Sequence, residues 1–208
     1  MIKIILFDFD GTLADTKKIW MKSILKVLKQ EEFYCPECEA KVIIHFGKKI
    51  KDMLGFLEIT KSRALDIEKR IYKEFMKHKP KKVAEFSFLR EIPAKKYILS
   101  NSPTRIIKLV LGGDAGYFDR IYGADKFTDK ASFIKMIKRR NNLKDNEIAY
   151  VGDRAGDAVT ASKARCVSII ISNEYSWNSR EEIIMEEPDI ILDKIENLKS
   201  LFKSSGHS

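Results

Sequence analysis

Asp8 and Asp10 stand two residues apart in MIKIILFDFDGTLADT, directly after an apolar run and just before a glycine. In an extended chain residues i and i+2 project to the same side, so the two carboxylates should converge. Carboxylates that close repel each other, and a bound cation or protonation of one partner must relieve the repulsion. The pair points to metal-assisted or acid–base chemistry. Further along, ILSNSP places Ser100 and Asn101 after another apolar run. A hydroxyl with backbone amides beside it suits a phosphoryl oxygen. AYVGDRAGD sets Asp153 after a third run, with Asp157 four residues on, in the first turn of an expected helix. Lys130, in FTDKASFIKMI, opens another helix and carries a charge that would neutralise the carboxylates. Each of these residues has a plainer reading. DG is a hairpin-turn signal, SN is a turn, Asp157 is an ordinary acid at a helix N-terminus, and Lys130 is one of 39 basic residues, most of them solvated.

Short apolar runs at 2–7, 97–99, 120–122, 148–151, 167–171 and 189–192 have strand length, and helical patterns such as ASFIKMIKRRN and AVTASKA separate several of them. This alternation is the βαβ signature of a mostly parallel sheet covered by helices on both faces. Such sheets bind ligands at the carboxyl ends of their strands, where Asp8, Ser100 and Asp153 all fall. Residues 15–85 read differently. Asp15 or Thr16 can cap a helix whose apolar residues Trp20, Ile24, Val27 and Leu28 share one face. A second apolar set follows at Val42, Ile43, Phe46, Ile50, Met53, Leu54 and Leu57, and a third at Ala64, Ile67, Ile71, Tyr72 and Phe75, before the proline of KPKK discourages continuation. The expected organisation is an α/β core of residues 1–14 and 86–208, with an inserted all-helical domain over 15–85.

The composition, 44% hydrophobic and 33% charged over 208 residues, is that of a globular chain. No apolar stretch approaches the ~18 residues of a membrane span, and the N-terminal run lacks the length and cleavage site of a signal peptide. Three cysteines give no disulfide framework, so the chain reads as cytoplasmic. The terminal SSGHS reads as frayed or added and is set aside. The net charge of +9 is concentrated: residues 15–85 hold 18 Lys and Arg against 11 Asp and Glu. That excess suits attraction of phosphorylated substrates, or is a solvated helix surface. CPEC at 35–38, with His45 nearby, offers half a zinc site, but no second CxxC exists and Cys166 falls in the other domain.

DFDGT at 8–12, LSN at 99–101, Lys130 and GDRAGD at 152–157 together resemble, in order and spacing, the four motifs of the haloacid dehalogenase superfamily of phosphotransferases, in particular its members with a helical, C1-type cap. The resemblance implies a Rossmann-like core, with the helical cap inserted after the first motif. It implies that Asp8 is a nucleophile that becomes an aspartyl-phosphate, and that Asp10 protonates the leaving oxygen and then activates water. Mg²⁺ would be held by Asp8, the backbone carbonyl of Asp10, and Asp153, with Gly11, Thr12 and Asp157 in support. Ser100, the backbone at Asn101, and Lys130 would bind the transferring phosphoryl group. Asp10 favours phosphate esters over halides, since an alkoxide needs a proton on departure. HFGKKI at 45–50 resembles the glycine-containing turn that such caps lower toward the site, which makes Lys48 and Lys49 candidate substrate contacts.

The reading is a Mg²⁺-dependent phosphatase of a small metabolite such as phosphoglycolate, a sugar phosphate or a nucleotide monophosphate. A phosphomutase would share every core motif. A nucleic-acid end-processing or binding protein using the basic insert is the alternative from another class, although no nucleic-acid motif is recognisable. Oligomeric state has no signature in the sequence.

Overall fold

The computed structural model describes residues 1–31 and 34–202. The SSGHS tail lies outside the described residues. By internal contacts the chain divides into two compact units, Met1–Asp15 with Lys81–Ser208, and Thr16–Pro80. Among the described residues no helix is long and apolar enough to cross a membrane.

The first unit opens on β1 (Ile4–Phe7), all four residues of which are buried. Two-residue strands β2 (Ala14–Asp15) and β3 (Lys81–Lys82) pair antiparallel, with Ala14 opposite Lys82. Residues 81–85, read from the sequence as part of the insert, thus belong with the core unit. The main sheet is completed by β4 (Lys95–Leu99), β5 (Arg120–Tyr122), β6 (Ile148–Gly152), β7 (Val167–Ile171) and β8 (Ile190–Leu192). Its order is β5-β4-β1-β6-β7-β8, and every neighbouring pair is parallel. From β1 the chain moves to β4 and β5, then returns to the other side of β1 for β6. The strand connections therefore diverge beside β1, and an open α/β sheet makes its ligand crevice at such a point.

Side chains alternate between two cores, as period-2 strands require. Ile5, Phe7, Ile98, Ala149, Val151 and Ile169 face one core, which is closed by Phe86, Phe88, Leu89, Ile107, Leu111, Ile195 and Leu198. Ile4, Leu6, Tyr97, Leu99, Ile148 and Tyr150 face the other, closed by Ala131, Ile134 and Ile137 and by Ala161 and Ala164.

The second unit holds α1 (Lys17–Leu28), α2 (Pro36–His45), α3 (Ile50–Gly55) and α4 (Lys61–Phe75). Trp20 of α1 stacks on Phe75 of α4 at 3.8 Å between ring centroids. Ile24, Val27, Leu28, Ile67 and Ile71 are buried, as their spacing predicts. Glu31 accepts from both Arg63 and Arg70, and Glu74 from Lys26 and Lys77. One apolar assignment is corrected: Ile43, grouped with Val42, is exposed together with Ile44, and Val42 alone of the three is buried. Successive residues on a helix lie about 100° apart, and the buried face of α2 takes in Val42 but not the next two residues round the helix. The remaining helices, α5 (Thr104–Leu111), α6 (Lys130–Arg140), α7 (Ala155–Ala164) and α8 (Arg180–Ile184), belong to the first unit.

Candidate active site

The loops leaving β1, β4 and β6 meet at the carboxyl edge of the sheet. Register fixes this: Phe7, the last residue of β1, lies opposite Ile98 of β4 and Val151 of β6. Asp8 follows immediately, its backbone N–H donating to the Val151 carbonyl at 2.7 Å. Asp153 and Asp157 arrive from the end of β6 and the first turn of α7. Carboxylate oxygens of Asp8, Asp153 and Asp157 all lie within 4.8 Å of one another, and all three residues are buried. Lys130, the first residue of α6, sends its ammonium to 3.0 Å from Asp8 Oδ2 and 3.7 Å from Asp157 Oδ1. Asp129, just before it, caps α6 by accepting from the Ser132 N–H, which fixes where the lysine emerges.

Three carboxylates against one ammonium leave negative charge in a dry place. Burial first, then repulsion from Asp157 and Asp8, pushes the Asp153 carboxyl well above its ordinary value. Burial and the Asp8 charge push Asp157 up in the same direction. Burial pulls Lys130 down, but Asp8 and Asp157 more than offset it and its value is raised. A divalent cation would remove the repulsion that remains. The donors are all hard oxygens, the kind that bind Mg²⁺ or Ca²⁺ rather than softer metals. The residues present therefore fit a hard divalent ion.

Each acid is held in place. Thr12 Oγ1 donates to Asp153 Oδ1 at 2.9 Å, and the Trp177 backbone N–H to Asp153 Oδ2 at 2.8 Å. Asp157 Oδ2 accepts from the N–H groups of Asp153 and Arg154, at 3.3 and 3.2 Å. Tyr150, whose phenol stands 2.6 Å from the Lys130 ammonium, also reaches Asp157 Oδ1 at 3.3 Å. Burial and the surrounding carboxylates push that phenol well above its usual value, so it stays neutral and orients Lys130 without adding charge. Gly11, at φ +81°, turns the chain where a Cβ would fall 2.3 Å from Asp153 Oδ2. Gly152 is just as constrained, since a Cβ there would lie 2.4 Å from Asp157 Cβ.

Asp10 is placed differently from the expected side-by-side pair. The strand ends at Phe7, and the N–H groups of Leu13 and Ala14 both donate to the Phe9 carbonyl, closing a turn. The i, i+2 argument holds only while the chain remains extended. The Asp10 carboxylate accepts from Ser102 Oγ at 2.6 Å and Ser100 Oγ at 3.2 Å, and it is not one of the three clustered acids. The resemblance assigned its backbone carbonyl to the metal, which leaves the side chain free for this role. Ser100 and Thr12 are fully buried at the same edge, and Asn101 is half-buried between the two serines.

Lys48 and Lys49 lie between α2 and α3 of the helical unit. Lys48 is exposed with its ammonium 5.4 Å from the Phe56 ring centroid, and Lys49 is buried. His45 stacks on Phe56 at 3.6 Å. Among the described residues the aspartate cluster is the only group of three metal-ligating side chains, so the two CPEC thiols gather no third ligand. Ser102, Tyr150 and the Trp177 N–H were not singled out from the sequence. A tyrosine inside an otherwise apolar strand is a usable signal, because a buried phenol needs a partner. Nothing in the sequence marks Ser102 beyond its place two residues after Ser100, and a backbone N–H leaves no trace at all.

The chain belongs to the haloacid dehalogenase-like hydrolase family, whose model matches residues 5–171. Among curated proteins it is similar to a phosphoglycolate phosphatase of Vibrio vulnificus (strain CMCP6), with 28% identity over 106 residues, 49% of this chain and 46% of that protein. The match thus spans about half the length of that relative. The phosphoglycolate phosphatase of Vibrio cholerae serotype O1 aligns over 95% of both chains at 26% identity. Among solved structures, a predicted phosphatase from Clostridium acetobutylicum superposes with a TM-score of 0.75 over 97% of this chain and 98% of that one, at 22% identity, a likeness of fold.

Proposed function

We propose that the chain is a Mg²⁺-dependent phosphatase that hydrolyses the phosphate monoester of a small metabolite through an aspartyl-phosphate on Asp8. The observation that carries this reading is the Asp8 carboxylate, buried between Lys130 and the Asp153–Asp157 pair at the switch point of the sheet. Asp8, the Asp10 carbonyl and Asp153 would hold the ion, which when bound supplies charge stabilisation for the phosphoryl oxygens.

The chain's own residues supply the rest. An Asp8 oxygen attacks phosphorus as the ester P–O bond breaks, and the Asp10 carboxyl gives its proton to the departing alkoxide. Asp10 then takes a proton from the water that attacks the aspartyl-phosphate, releasing inorganic phosphate and restoring both acids. Lys130, Ser100 and the backbone at Asn101 bind the equatorial oxygens, where charge accumulates in phosphoryl transfer. One hydroxyl proton serves one acceptor at a time. When Ser100 turns to the phosphoryl group, Asp10 gives up that bond and keeps the shorter one from Ser102, which loosens the acid as substrate binds.

The helical unit Thr16–Pro80 takes the part of a cap that chooses the leaving group, with Lys48 and Lys49 as its candidate contacts. Relatives named phosphoglycolate phosphatase make phosphoglycolate the first substrate to try. The test is phosphate release from a panel of phosphorylated metabolites with Mg²⁺, wild type against Asp8→Asn. Loss of turnover by a factor of roughly 10³ or more, with an unchanged melting temperature, is expected. Comparable turnover in the two proteins would reject Asp8 as nucleophile.

A further inference from the structure

The CPEC segment has no part in the phosphoryl chemistry. Cys35 is the N-cap residue of α2, Pro36 its first position, and the Cys38 N–H donates to the Cys35 carbonyl at 3.0 Å. This single turn brings the two Sγ atoms to 2.9 Å. That separation is about 1 Å more than the roughly 2.05 Å of a sulfur–sulfur bond. Both residues are free thiols, Cys35 partly exposed and Cys38 buried. A closed zinc site would need four ligands, and among the described residues no third one joins the pair. What the turn builds is a dithiol already near bonding distance.

We propose that Cys35 and Cys38 form a reversible intrachain disulfide by exchange with a small-molecule disulfide. The Cys35 thiolate attacks one sulfur of the reagent, whose S–S bond breaks as one reagent thiolate leaves. Cys38 loses its proton to solvent and attacks the Cys35 sulfur, and the second reagent thiolate leaves. The protein loses two electrons and two protons, and the reagent becomes two thiols. Exposure sets the order, because only Cys35 is open to a reagent from solvent. The hydrogen bond with Cys38 holds the Cys35 thiol above its ordinary range, so thiolate is scarce at neutral pH and exchange is slow. Dedicated oxidoreductases do the reverse, lowering the attacking thiol. The pair is thus a slow, redox-responsive bond in the first turn of α2 and not an oxidoreductase centre.

The experiment incubates the full chain with excess oxidised glutathione for hours, quenches with acid, alkylates after unfolding and maps peptides by mass spectrometry. Wild type is expected to lose alkylation at Cys35 and Cys38 together, to gain the link between them, and to recover both thiols with dithiothreitol. Cys166, whose thiol burial pushes up to about 12, should stay alkylated throughout. Cys38→Ser is expected to accumulate a glutathione adduct at Cys35, whereas Cys35→Ser leaves Cys38 free. Circular dichroism spectra overlaying wild type keep exchange in an unfolded chain from counting as support. Two thiols still free in wild type, a stable adduct at Cys35 in place of the link, or equal labelling of the two single variants would each overturn the proposal.

Discussion

Gly11→Ala puts the geometry of the acidic edge to a quantitative test. At φ +81° an alanine enters a backbone region that costs an L-residue about 1–2 kcal/mol. Its Cβ would also stand 2.3 Å from Asp153 Oδ2, 2.6 Å from Asp153 Cγ and 2.7 Å from Trp177 Cδ1. An ordinary contact needs roughly 1 Å more. Asp153 is fully buried and held by Thr12 and the Trp177 N–H, so it cannot retreat without giving up a hydrogen bond to a charged group, about 1.5–3 kcal/mol. The sum is roughly 3–5 kcal/mol, or a fall of about 6–20 °C in the melting temperature for a chain of this size. Gly156→Ala is the control: nothing lies within 4 Å of a Cβ there, and in α7 alanine should stabilise by up to about 1 kcal/mol. Calorimetric melts of the three proteins, with Mg²⁺ titrations of activity, read both effects. If Gly11→Ala melts with Gly156→Ala and needs no more Mg²⁺ than wild type, the packing of Gly11 on Asp153 is wrong.

Three further outcomes are expected. Lys130→Met strips from the buried acids the ammonium that pairs with Asp8 and Asp157 and should cost about 3–5 kcal/mol in urea unfolding, with turnover lower by roughly 10²–10³; a variant within about tenfold of wild type in turnover would refute the lysine's role. Saturating Mg²⁺, at about 100 times its dissociation constant, should stabilise wild type by about 2.7 kcal/mol relative to EDTA. Asp153→Asn should lose most of that shift, and an equal shift in both would move the ion elsewhere. In the helical unit, hydrogen bonds from Lys26 and Lys77 hold Glu74 down to about 2, from an ordinary 4.5. Because the folded value is the lower one, this stabilisation is present above the unfolded value and is lost as pH falls through that window. The stability gap between wild type and Glu74→Gln should therefore close on acidification, and a gap independent of pH would count against the pairing.

Much of this arrangement was legible in the chain because sheet chemistry is local. An apolar run followed by Asp, or by Ser-Asn, announces both a buried strand and the edge where it ends, and so Asp8, Ser100 and Asp153 fell together. Lys130 was harder, since nothing in its own segment separates it from other basic residues; its meaning comes from β5 ending beside β4 and from the Asp129 cap. The turn after Phe7 did leave a mark, the DG at 10–11, but the paired-carboxylate reading passed over it. Period-2 projection presumes an extended backbone, and the hydrogen bonds to the Phe9 carbonyl end that extension. Ser102, Tyr150 and the Trp177 N–H reach acids 92, 7 and 24 residues away, contacts that only the folded chain creates. In the helical unit, period 3.6 located the buried faces of α1 and α4 but could not say how wide a stripe the short α2 would cover.

The small antiparallel pairing of Ala14–Asp15 with Lys81–Lys82 reaches beyond its four residues. It staples the exit and re-entry points of a 65-residue excursion, Thr16–Pro80, side by side on the core. A scaffold whose interruption begins and ends at one spot is indifferent to what is threaded between, as a socket is to the appliance plugged into it. Exchange of that excursion for a short linker, or for a module of different shape, leaves the parallel sheet and its acidic edge with the same wiring. On the proposed reading, in which the helical unit chooses the leaving group, specificity would then be rewritten in one contiguous stretch of gene while the residues of the acidic edge stay untouched.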